Sequence, residues 1–111
     1  MQRSILLLCA FGAAACAKKE LTTESTTAVQ RSAEAAGAED VPQAALALQL
    51  SHEHLDHAKE LYDDGKESEA KSMLMRAEAD AELAVALAKA EDEKAMANTA
   101  MEEVRKVRSE H

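Results

Sequence analysis

Three histidines fall close together, His52, His54 and His57, with Glu53, Asp56 and Glu60 among them. Imidazoles and carboxylates are ligands of divalent metals, and on a helix residues three or four apart share a face. Glu53 with His57, or His54 with His57, would supply two corners of a site. His52 projects elsewhere, so the three rings do not converge, whereas a fixed zinc needs three or four protein ligands. The H-E-x-x-H pattern is also absent, because Asp56 stands where the second His is required. The expectation is a weak metal-binding or pH-sensing patch at His54 and His57 with Glu53, or else a polar face of ordinary surface histidines. Asp63, Asp64, Glu67 and Glu69 crowd a turn but lack the alternating oxygens and the twelfth-position Glu of a calcium loop. Asp80 and Glu82 face different sides of a helix and cannot act as a carboxylate pair. The sequence holds no Gly-rich phosphate loop, Ser elbow or Cys–His nucleophile. A non-enzymatic protein is expected.

The elements that carry these residues are helices. Asp40 is placed to cap one of them, with Pro42 in its first turn and Gln43 completing a capping box. Val41, Ala44, Leu48, Ser51, Leu55, Ala58 and Tyr62 then follow at the 3-4 spacing of a helix–helix seam. Asp63-Asp64-Gly65 ends this helix, since Gly65 can take a left-handed conformation. Residues 67–108 contain no Gly and no Pro and are dense in strong helix formers. One rod of roughly 60 Å is predicted. Its seam is Ala70, Leu74 (or Met73), Ala77, Ala81, Ala84, Ala88 and Ala95, and Arg76 is placed to pair with Asp80 on the same helix. The connection is so short that the two helices must be antiparallel neighbours. Residues 28–36 predict a further short helix, stopped by Gly37, which needs docking to persist.

The two arms of this hairpin differ in length. Paired from the Gly65 turn, the first runs out opposite about Ala90. The remainder of the long helix still carries Ala97, Met101, Val104 and Val107 at helical spacing. Those four residues are the expected interaction surface. The overhang pairs with another copy, binds a protein partner, is covered in part by the 28–36 helix, or frays.

The N-terminus reads as an export signal. Arg3 supplies the positive end, and residues 5–15 form an apolar run too short to span a bilayer. It closes in Ala13-Ala14-Ala15-Cys16, which resembles a bacterial lipobox. The resemblance implies cleavage after Ala15 and a diacylglycerol and an acyl chain on Cys16; Ala13 and Ala15 also satisfy an ordinary A-x-A site. More than one chain is needed for lasting attachment to a membrane. In the sorting rule of the lipoproteins it resembles, Asp after the lipidated Cys retains a protein at the inner membrane. Ala17 and Lys18 stand here instead. That implies the outer membrane, facing the periplasm. Residues 16–27, rich in Thr, Ser and Lys, are predicted to be a flexible tether.

The formal charge of −8 argues against nucleic-acid binding and against a polybasic membrane contact. With one Phe, one Tyr and no Trp, the apolar content rests on small side chains, which suits extended helices better than a globule.

The segment from Arg31 to Ala90 resembles the bacterial family called domain of unknown function 4398. The likeness is carried by Ala36-Gly37-Ala38 with Pro42 after it, Ala58-Lys59-Glu60-Leu61, Gly65, Glu69-Ala70 and above all Arg76-Ala77-Glu78-Ala79-Asp80-Ala81-Glu82-Leu83-Ala84. It implies a small exported helical protein, often lipid-anchored. A lipidated helical spacer like the murein lipoprotein is a related expectation, but the chain closes in Ser109-Glu110-His111 and lacks the terminal Lys of covalent attachment to peptidoglycan. The full expectation is an all-α protein. A signal peptide (1–15) precedes a tether (16–27), a helical domain (28–108) and a short tail (109–111). The domain is an antiparallel hairpin with one long helix and a short N-terminal helix, without a cofactor beyond the lipid. It would act as a scaffold or adaptor in non-covalent contact with the cell envelope.

Overall fold

The computed structural model describes residues 20–111. The expected signal peptide, Ala15 and Cys16 lie outside the described residues. Three α-helices follow one another: α1 (Thr23–Ala35), α2 (Pro42–Asp63) and α3 (Glu67–Ser109). A single 3-10 turn, Ala38–Asp40, joins α1 to α2. No helix among the described residues is long and apolar enough to cross a membrane.

Helices α2 and α3 form the expected antiparallel hairpin. Gly65, at φ +74°, makes the reversal. The Lys66 N–H donates to the Leu61 carbonyl (2.8 Å) and the Gly65 N–H to that of Tyr62 (3.0 Å), which satisfies the last carbonyls of α2 in a Schellman arrangement. The α3 seam is buried at Ala70, Leu74, Ala77, Ala81, Ala84 and Ala88. Facing it on α2 are Ala44, Ala47, Leu48, Ser51, Leu55, Ala58 and Leu61. Leu61 takes the last core place expected of Tyr62, which is only half-buried. Ala95 is exposed, because the seam has no facing helix at that level.

Helix α1 begins earlier than expected. The tether reading fails over its last five residues, which are helical from Thr23. A reciprocal capping box is the cause: Thr22 Oγ1 accepts from the Ser25 N–H and Ser25 Oγ accepts from the Thr22 N–H, both at 3.0 Å. Docking secures the helix. Its buried residues are Thr26, Gln30 and Ala33, a mostly polar stripe. Thr26 Oγ1 donates to Glu78 Oε2 on α3 at 2.8 Å. Gln30 Nε2 donates to Ser51 Oγ (2.9 Å), which donates to the Ala77 carbonyl (2.6 Å). These contacts set α1 parallel to α3 and antiparallel to α2, completing a three-helix bundle. No buried side-chain polar atom among the described residues lacks a partner.

Gly37 ends α1 at φ +83°, as expected, and its N–H donates to the Glu34 carbonyl at 3.0 Å. Asp40 is not the cap of α2. It closes the 3-10 turn, and Val41 holds the cap position without a side-chain bond, followed by Pro42 in the first turn. The chain needs those three residues to turn back after Gly37, which carries Asp40 one place too early to cap.

Candidate interaction surface

The histidines are positioned by α2, but they look to different neighbours. His52 Nε2 lies 3.7 Å from Glu34 Oε1 on α1. His54 Nδ1 lies 2.7 Å from Asp80 Oδ2 on α3 and donates to it when Asp80 is ionised. Asp80 therefore spans the hairpin to His54 and does not form the expected pair with Arg76. Glu53 accepts from Gln49 Nε2 at 2.9 Å, and His57 is exposed. Among the described residues no three His, Cys, Asp or Glu side chains are grouped to hold a metal ion. Glu53, His54 and His57 are thus not brought together as ligands. The acidic turn is solvent-facing, and Glu67 and Glu69 sit in the first turn of α3, where the helix dipole favours negative charge.

The overhang is where the sequence expectation and the structure coincide. The last buried residue of α3 is Ala88, and every residue from Lys89 to His111 is exposed. Helix α1 does not cover it; its C-terminal turn packs beside Ala84 and Ala88, within the bundle. Yet the helix continues without interruption to Ser109. Met101, Val104 and Val107 keep more than half of their surface in water, as does Met96, and Ala97 is exposed beside them. Ala100, Met101, Val104, Arg105 and Arg108 line one shallow recess, and Glu103 and Val107 border a second beside it.

The orientation of this stripe adds something the spacing alone leaves unstated. At about 100° per residue, 96, 97, 100, 101, 104 and 107 centre on a line roughly 140° around α3 from its buried seam. Continued into the overhang, the seam itself meets Ala95 but otherwise Glu91, Asp92, Thr99, Glu102 and Lys106. The apolar stripe is therefore a separate face, turned away from α2, and not an unfinished part of the bundle core. Met96 and Ala100 belong to it: Ala100 lies three residues after Ala97, and Met96 lies four before Ala100.

A second patch lies on the bundle. Leu46 and Leu50 on α2 and Leu83 on α3 are exposed. Comparisons with protein-family models, with curated proteins and with solved structures found no match to this chain.

Proposed function

We propose that this chain is a non-enzymatic, lipid-anchored helical module of the cell envelope, which binds protein through the free end of α3. Cys16 would carry the lipid, after cleavage at Ala15, and the protein would face the periplasm from the outer membrane. One observation carries the reading: a helix extends about 20 residues past its last core contact and bears an apolar stripe there. Such a stripe at i, i+3, i+4 and i+7 suits the helix-in-groove and coiled-coil modes of recognition. The placement of the ends supports the anchored arrangement. Leu21 packs against the Leu55–Leu74 cluster near the Gly65 end of the bundle. An anchor joined there would leave the overhang pointing away from the membrane. The likeness of residues 31–90 to domain of unknown function 4398 points the same way and rests on the sequence runs quoted above. Metal binding at His54 and His57 with Glu53 is the weaker alternative, because His54 is engaged by Asp80 and Glu53 by Gln49.

The test is photo-crosslinking in intact cells with the probe at Ala97, in the native chain and with Met101→Glu and Val104→Glu combined. A discrete adduct that the double substitution abolishes is the expected result. An adduct pattern that the two charges leave unchanged, or no adduct at Ala97 and its neighbours, would overturn the reading.

A further inference from the structure

The proposed interaction leaves the occupant of the stripe open, and the charges beside it identify one. With Ala97 and Val104 at a positions and Ala100 and Val107 at d, the flanking e positions are Lys94, Met101 and Arg108. The g positions are Met96, Glu103 and Glu110, with Lys89 one heptad earlier. One border is basic at its two charged places, and the other is acidic beyond Met96.

From this we infer that the stripe pairs with the same stripe of a second copy, in parallel and in register. The inference rests on the overhang being a protein-binding surface. In a parallel pair each g residue meets the e residue five places on in the other helix. Glu103 then faces Arg108 of the second copy, twice by symmetry, and Met96 faces Met101 of the second copy, also twice. Lys89 would face Lys94 of the second copy, a like-charge pair at the edge of the bundle where the helices part. An antiparallel pair meets g with g and e with e. It would set Glu103 against Glu103 and Lys94 against Arg108, opposing like charges at both places. A β-branched residue at an a position, here Val104, also suits parallel two-stranded packing. Ala97 and Ala100 let the backbones approach closely. The parallel arrangement keeps both N-termini at one end, so two copies anchored in one membrane could form it, and their shared anchoring would raise the effective concentration. The orientation of the stripe places the second copy on the side of α3 turned away from α2.

The interface is short, four layers, so a reversible monomer–dimer equilibrium is expected, not a permanent dimer. The experiment is sedimentation of the purified full chain over a concentration series, with Glu103→Arg, Arg108→Glu and the two combined. Residues 103 and 108 are five apart and do not face each other within one helix. Each single change should weaken dimerisation by about fivefold, and the double change should restore it. Circular dichroism of each variant should match the native chain, since both positions are exposed. If Arg108→Glu tightens association, the pairing is antiparallel and the inference is wrong. If the chain stays monomeric throughout, the second copy is wrong; an Ala97 adduct of foreign mass would then leave the wider protein-binding reading standing. Monomer together with no adduct would remove both.

Discussion

The two halves of α3 are one uninterrupted helix, both with Ala, Met and Val and without Gly or Pro, and end differently. Residues 67–88 put Ala and Leu onto α1 and α2, and six of them are buried. Residues 89–109 carry Ala, Met and Val at similar spacing and bury none. The second half has fewer Ala, no Leu and more charge, and the angle of its apolar positions also differs. Up to Ala88 the seam positions are all apolar, with Met75 and Leu83 exposed off it. Beyond Ala88 only Ala95 keeps an apolar side chain on the seam, whose other positions are Glu91, Asp92, Thr99, Glu102 and Lys106, and the remaining apolar residues centre on another face. The same substitution should therefore be costly in the first half and neutral in the second.

Ala81→Leu against Ala97→Leu is the sharpest form of that contrast. Ala81 is fully buried, and three extra carbons there must push helices apart, at a cost of about 2–3 kcal/mol. Ala97→Leu should leave the unfolding free energy of the monomer within about 0.5 kcal/mol of native. Urea unfolding followed by circular dichroism measures both, and equal losses would break the distinction. A smaller effect is expected from hydroxyls. Ser51→Ala strands the buried Gln30 amide and removes a second bond to the Ala77 carbonyl, for a loss of about 1–2 kcal/mol. Thr99→Ala removes only an exposed bond to the Ala95 carbonyl and should change nothing measurable in the same titration. The smallest effect belongs to Glu24 in the first turn of α1. Its own backbone N–H, then the Thr23 hydroxyl, hold its carboxyl below the ordinary carboxylate range. A folded pKa below the unfolded one gives stability that is present above the unfolded pKa and lost as pH falls through the folded pKa. Glu24→Gln should remove that contribution, lowering Tm slightly at neutral pH, leaving it unchanged at strongly acid pH and so flattening the acid limb of a Tm-against-pH curve; a shift in acid as large as that at pH 7 would contradict it.

The hairpin was legible because Gly65 and the seam alanines are local signals that agree with one another. The overhang was legible because two helices joined by a tight turn must run out together, and their lengths could be compared. The start of α1 was not. Thr22, Thr23, Ser25, Thr26 and Thr27 have the composition of a linker, and the capping box that organises them pairs two hydroxyl residues instead of Thr with Glu. The docked face of α1 was also hidden, since Thr26 and Gln30 are polar and are buried only because Glu78 and Ser51 wait for them on other helices. The His54–Asp80 contact was missed for a related reason: its partners are 26 residues apart, while spacing within one helix offered Arg76 first. The orientation of the overhang stripe could have been read by counting residues at 100° from the seam.

Among the described residues, ten of the fourteen buried apolar ones are alanine and the other four are leucine. An alanine has no rotamers to lose, so ordering this core costs little side-chain entropy. It also uncovers little apolar surface when the chain unfolds, and the heat-capacity change of unfolding tracks that surface. A small heat-capacity change makes the curve of stability against temperature shallow. The bundle is accordingly expected to be modestly stable over a wide thermal range, with weak cold destabilisation and a gradual decline on warming.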